Sequence, residues 1–231
     1  EVLQVQKPSI INDAQEFVKM GTDISCNLGS TNVVNMMTSP DFGRSIKAMT
    51  RALTFVSDTS SIEAVPTIKH GNEQAHTFGL GAMGLHTYLA QNHIHYGSPE
   101  SIEFTNIYFM LLNYWTLVES NQIARERKQT FANFEKSSYA DGSYFDKYIT
   151  GDFVPKSDRV KELFAEHFIP SGKDWAELRD AVMTDGLYHQ NRLAVAPNGS
   201  ISYINDVSAS LHPITQRIEE RQEKKIGKIY Y

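Results

Sequence analysis

Residues 192–206 read RLAVAPNGSISYIND, and the architecture turns on what the chain does at Pro197-Asn198-Gly199-Ser200. Asn-Gly between two apolar runs is the strongest short-range hairpin signal, and Ile201 and Tyr203 alternate about Ser202 as a returning strand would. The other reading is a strand that runs into an anion-binding turn. There, successive backbone N–H groups, freed by Gly199 and joined by the Ser200 and Ser202 hydroxyls, form a nest able to hold phosphate oxygens. Local sequence alone favours the hairpin and leaves the nest open.

The rest of the chain alternates strand-like and helix-like segments. Residues 23–34, DISCNLGSTNVV, begin in strand style and turn polar, as a strand entering a loop does. Ser39-Pro40-Asp41 is a helix start, and Ile46, Met49, Leu53 and Val56 follow at helical spacing. In FGLGAMGLHTYLAQ, residues 78–91, the glycines resemble a dinucleotide fingerprint. The preceding HGNEQAHT is polar rather than a strand, and Glu100 and Glu103 fall at a helix start, so close packing of a helix on a neighbour is the simpler reading. Ser98-Pro99 caps a long helix to about Lys128, with Ile102, Thr105, Phe109, Leu112, Trp115 and Ile123 as an apolar stripe. Residues 130–158 read as loops with short elements, Ser157–His167 as a helix, and Asp174–Asp185 as a helix ended by Gly186. Arg217–Lys228 places Glu and Lys three and four apart, the pattern of a solvated helical face.

Composition narrows the classes. The hydrophobic fraction of 41% and charged fraction of 21% are those of an ordinary globular chain. A net charge of -5 and a pI of about 5.9 give no footprint for nucleic acid. The most apolar run, Ile107–Val118, is well short of the ~20 residues a membrane span needs. No signal peptide is visible. Cys26 is the one cysteine; a lone thiol reads first as a small core residue, and with no partner for a disulfide the default setting is reducing and cytoplasmic. The eight histidines form no metal pattern: His93 and His95, two apart, would face different sides of a helix, His70 and His76 flank a loop, and His189 and His212 read as structural hydrogen bonders. The chain opens at Glu1 without methionine and closes on KKIGKIYY, so both ends read as cuts through ordered sequence in a longer protein.

Taken together, DISCNLGSTNVVNM, FGLGAMGLHTYL, PNGSISYIND and HPITQRIEERQEKKIGKIYY resemble the large, catalytic subunit of aerobic ribonucleotide reductase, closest to the class Ib type of bacteria and phages. A longer signature runs through Trp175, Leu178, Gly186-Leu187-Tyr188-His189, Leu193, Ala194 and Pro197. The resemblance covers the whole chain. It implies an α/β, helix-rich fold in which residues 1–231 are a partial catalytic domain, part of a ten-stranded α/β barrel. The remainder of the barrel and the allosteric region would be missing.

The resemblance also implies the chemistry. In that family a thiyl radical removes the 3′ hydrogen of a ribonucleoside diphosphate, a glutamate takes the 3′-hydroxyl proton, water leaves from C2′, and a cysteine pair supplies two electrons. Glu1 matches the final residue of the family's Asn-x-Cys-x-Glu motif, whose other members would precede it. Cys26 falls where the C-terminal member of the redox pair belongs. Pro197, Asn198, Gly199, Ser200 and Ile201 match the diphosphate-binding segment. The implied partners are the radical-generating small subunit, which carries the metal-radical cofactor, a thioredoxin- or glutaredoxin-type reductant, and the missing segments of the large subunit. No cofactor or metal is expected on this chain, and neither nucleic acid nor membrane as partner. Tyr230 and Tyr231 match the family's radical-relaying tyrosine pair by type and not by position, and read as structural. The alternatives are an inactive split-gene fragment and an unrelated phosphate-binding α/β module. A partial barrel with an exposed strand edge is also expected to aggregate when alone.

Overall fold

The computed structural model describes residues 23, 25, 27–60, 64–218, 220–223 and 227–230. In chain order the elements are β1 (Leu28–Asn32), α1 (Val33–Met37), α2 (Phe42–Thr59), α3 (Pro66–Ala75), β2 (Gly79–Met83), α4 (Leu85–Gln91) and α5 (Pro99–Arg127). They continue with α6 (Asp146–Ile149), α7 (Asp158–Leu163), α8 (Gly172–Asp185), α9 (Gly199–Ile204), β3 (Glu220–Glu223) and β4 (Gly227–Tyr230).

The glycines at 79 and 81 belong to a strand and not to a helix contact. β2 is buried along its whole length and pairs in parallel with β1, Leu28 opposite Gly79 and Asn32 opposite Met83. On its other side Leu80 bridges Leu193 in parallel, with Leu80 N–H donating to Arg192 O and Ala194 N–H to Leu80 O. Glycine is required here by crowding. A Cβ on Gly81 would lie 2.6 Å from Ala194 O and 3.0 Å from Ala196 N, and one on Gly79 would lie 2.6 Å from Ala194 Cβ. The strand expected within residues 23–34 is present but later than its polarity implied: it occupies the polar Leu28–Asn32, and the Asn32 side chain then caps α1 through the N–H groups of Val34 and Asn35.

Helices cover these strands. Asp41 caps α2 by accepting from Arg44 N–H at 2.8 Å. Ile46, Thr50, Leu53, Thr54 and Ser57 of α2 are buried, while Val56 is exposed. Gly43 lets α2 approach α5: a Cβ there would sit 2.6 Å from the Trp115 ring. Ser98 and Pro99 start α5 as the sequence indicates, and at 1.5 Å per residue it is about 43 Å long. Its apolar surface is not the expected stripe. Ile102 is 55% exposed, whereas Phe104, Ile107, Tyr108, Leu111, Leu112 and Leu117 are buried on several faces. The reason is its central position, with α2, α7 and α8 all packed against it. Residues 130–158 contain only short helical pieces, as expected. α7 is shorter than Ser157–His167, and α8 starts earlier than Asp174, at a capping box of Ser171 and Asp174, and stops at Gly186 with φ 78°.

Four expectations fail outright. The Asn-Gly pair turns no hairpin: the segment before it bridges β2 in parallel at Leu193, and the chain then coils into α9. The charged tail is no helix but an antiparallel hairpin of β3 and β4, with Glu220 and Lys228 paired across it at 2.7 Å; Gly227 at φ 88° has a backbone conformation that a helix interior cannot use. His93 lies after α4 at φ 58° and His95 follows in a turn, so neither is helical. His70 is inside α3 and His76 is its left-handed cap, so they do not flank a loop. No described helix is long and apolar enough to cross a membrane.

Candidate functional site

β1 and β2 run in parallel with Asn32 level with Met83, and a third extended segment bridges β2 in parallel at Leu193. In parallel α/β sheets ligands gather beyond the carboxyl ends of the strands, and Pro197–Ile201 begins at that edge.

Asn198 organises this edge. It is 5% exposed, and it does not cap its own helix. Its Nδ2 instead donates to Ser30 Oγ on β1 at 3.0 Å and to Ala82 O on β2 at 3.1 Å. Its Oδ1 accepts from Ser210 N–H at 2.5 Å. One side chain thus ties both strands to the turn at 206–210. That turn is held in addition by Gly84 N–H, which donates to Ser208 O at 2.7 Å, and by Ser208 N–H, which donates to Thr87 Oγ1 at 2.8 Å.

Because Asn198 is committed to these bonds, the N–H groups of Gly199, Ser200 and Ile201 make no hydrogen bond among the described residues, as the first turn of a helix leaves its donors. Ser200 and Ile201 are exposed, as is Pro197. Ser202, grouped with the nest by its sequence, turns inward: it is fully buried and its Oγ donates to Gly199 O at 2.7 Å. Of the two hydroxyls, Ser200 alone faces outward. A cleft of about 880 Å³ is lined by Tyr203, Asp206, His212 and Arg217 among others. None of Pro197–Ile201 lines it. His212 is exposed there, and its side chain makes none of the structural hydrogen bonds expected of it among the described residues.

Glu1 and Cys26 lie outside the described residues, as does Tyr231. The residues on either side of Cys26 are held. Ser25 Oγ donates to Asn72 Oδ1 at 2.9 Å and accepts from Asn27 Nδ2 at 3.0 Å, and Asn27 O accepts from Gly79 N–H at 2.8 Å. β1, whose Ser30 touches Asn198, begins two residues after Cys26.

A second polar cluster sits before the start of β2 and was not legible in the sequence. His76 stacks on Tyr188 with ring centroids 4.0 Å apart, and the Tyr188 hydroxyl donates to Asp58 Oδ1 at 3.0 Å. Arg127 donates to both Asp58 and Tyr188. Burial would raise the Asp58 carboxyl, but hydrogen bonds from His76, Arg127 and Tyr188 prevail and hold it at about 2. Burial, reinforced by Asp58, lifts the Tyr188 phenol to about 12. His189 beside them is buried between Thr54 and Ser120, each 2.9 Å from a ring nitrogen. Burial, then the nearby Arg192 charge, pushes its pKa well below the usual value. These groups tie together α2, α5 and the segment that leads to Leu193. Among the described residues no three His, Cys, Asp or Glu side chains converge as a metal site would need.

Comparison with known proteins agrees with this architecture. The family model for the ribonucleotide reductase barrel domain matches residues 1–231. The chain is 45% identical over 231 residues to a ribonucleoside-diphosphate reductase subunit alpha of Bacillus subtilis (strain 168), covering all of this chain and 33% of that protein. It is 44% identical over 236 residues to the subunit alpha of Mycoplasma pneumoniae, again 100% of this chain and 33% of the relative. It is 42% identical to the nrdEB subunit alpha of Bacillus phage SPbeta, over 100% of this chain and 21% of that protein. The chain therefore spans a third or less of the length of these relatives.

Proposed function

The chain belongs to the ribonucleotide reductase barrel-domain family, and on that premise we propose that it is part of a class Ib-type catalytic subunit that reduces ribonucleoside diphosphates to deoxyribonucleoside diphosphates. The observation that carries this reading is the Asn198–Ser30 contact at 3.0 Å. It joins the turn matched to the diphosphate segment to the strand that follows the redox cysteine.

In this reading Gly199, Ser200 and Ile201 present backbone N–H groups, and Ser200 its hydroxyl, to the diphosphate. Pro197 starts the turn, and Asn198 contributes by holding the loop rather than by spending its amide on substrate. Cys26 is one of two thiols that become a disulfide as the C2′ hydroxyl leaves. The balance is one alcohol and two thiols in, one C–H, one disulfide and one water out. Glu1 exchanges the 3′-hydroxyl proton, a role that burial in the whole subunit would tune. The 231 residues hold one cysteine, and a disulfide needs a second with Cα about 4.4–6.8 Å away. Turnover therefore draws on further segments of the large subunit. The small subunit's metal-radical cofactor supplies the oxidising equivalent that starts each cycle, and a thioredoxin- or glutaredoxin-type protein in the cytoplasm restores the thiols.

The test is reconstitution: this chain, the segment preceding it and the small subunit, assayed for deoxyribonucleotide with a dithiol reductant. Product that vanishes with Cys26→Ser and needs a raised substrate concentration with Gly199→Val supports the reading. Unchanged turnover by Cys26→Ser removes it.

A further inference from the structure

Asn198-Gly199 is the chain's one Asn-Gly pair, and it carries a reactivity separate from any role in substrate binding. In such a pair the following N–H, once deprotonated by hydroxide, attacks the asparagine Cγ. The Cγ–Nδ2 bond breaks, ammonia leaves, and a five-membered succinimide forms. Water then opens the ring at one carbonyl to give aspartate, or at the other to give isoaspartate. The net change is amide plus water to acid plus ammonia, with no redox partner. Glycine favours it because no Cβ shields its nitrogen.

We propose that Asn198 is a latent deamidation site, locked by the native fold and released by local opening of the turn. Attack needs the Gly199 nitrogen within about 3–3.5 Å of Cγ in an aligned pose. Three bonds fix the side chain in place, to Ser30 Oγ at 3.0 Å, Ala82 O at 3.1 Å and Ser210 N–H at 2.5 Å, and restrict the rotation that alignment for attack requires. The amide is buried as well. The nucleophile itself is unencumbered, since Gly199 N–H makes no hydrogen bond among the described residues. The lock thus acts on the electrophile alone. Once sprung it does not reset. Ser210 N–H can still donate to an aspartate oxygen, but the second oxygen then meets the Ala82 carbonyl, two acceptors facing each other in a buried site. Isoaspartate adds a backbone methylene and displaces the turn besides.

The experiment follows Asn198 by peptide mass spectrometry in the full 231-residue chain at mildly alkaline pH, native and in guanidinium chloride. The native chain should convert at least about 10-fold more slowly than the unfolded one. Ser30→Ala should speed native conversion about 2- to 10-fold, the worth of one ordinary hydrogen bond. Ile46→Val, which loosens the core on α2, should not, and this separates local opening from general loss of stability. Equal rates in native and unfolded chain, or a Ser30→Ala rate equal to wild type, overturn the proposal. Neither result depends on diphosphate binding, so the reading of the loop as a substrate site stands or falls separately.

Discussion

Ser30 and Asn198 are separated by 168 positions in the chain, and their side chains meet at 3.0 Å, joining β1 to the turn that follows the segment bridged to β2. Because the Asn198 amide also reaches Ala82 O and Ser210 N–H, its removal leaves buried groups without partners. Asn198→Ala should lower stability by about 1–3 kcal/mol, measured as the shift in denaturant midpoint at constant slope. A variant as stable as wild type would mean that the amide holds nothing together.

Gly81 faces backbone that cannot swing aside. A Cβ there would meet Ala194 O at 2.6 Å and Ala196 N at 3.0 Å. Gly81→Ala should therefore cost about 1–3 kcal/mol, the usual range for overpacking, and raise hydrogen exchange at Ala194 N–H, which bonds to Leu80 O. Unaltered protection at Ala194 would contradict this packing.

Tyr108 is fully buried, and its hydroxyl lies 2.9 Å from Thr31 Oγ1, which also bonds Gly81 O at 3.1 Å. Tyr108→Phe keeps the ring stack and removes that one bond. A loss of about 1 kcal/mol is expected, read from thermal or chemical unfolding; a loss of several kcal/mol would point to a larger polar network than the one described.

Acid should destabilise the fold in two windows. His189 is kept neutral by burial, with Arg192, His76, Asp58 and Arg127 around it. The unfolded chain takes up a proton near pH 6.5 that the native one refuses, so stability is full above about 6.5 and declines as the pH falls below it. Asp58 has a native value of about 2 against 3.8 unfolded. Its contribution, on the order of 1 kcal/mol after solvent screening, is present above 3.8 and lost as the pH falls through 2. Unfolding free energy measured from pH 7.5 to 5 should slope downward in the wild type and flatten in His189→Gln. A flat wild-type profile would show that His189 titrates alike in both states.

Local signals were legible where they are covalently close to what they control. Ser98-Pro99 started α5 and Gly186 ended α8 because a cap acts within one helical turn. The Asn-Gly pair misled because hairpin preference assumes antiparallel strands on both sides, whereas the segment before it bridges β2 in parallel at Leu193, more than a hundred positions after its partner Leu80. Arg217–Lys228 misled because Glu and Lys at short spacings satisfy a hairpin's cross-strand pairs as well as a helix's. The assignment of the loop at 197–201 to a diphosphate segment rests on family likeness alone, not on a local pattern. The commitment of Asn198 to Ser30, Ala82 and Ser210, and the cluster of Asp58, His76, Arg127 and Tyr188, exist only once distant segments meet, and no spacing in the sequence announces them.

If the sulfur preceding β1 donates electrons to a nucleotide held at the Asn198 turn, as proposed, Cys26 ends a turnover oxidised. Peptide mapping after a single turnover of the reconstituted enzyme with no external reductant reads this out. Cys26 should be found in a disulfide with a cysteine of the other large-subunit segment, one per deoxyribonucleotide formed. Deoxyribonucleotide formed while Cys26 is recovered as a free thiol would contradict it.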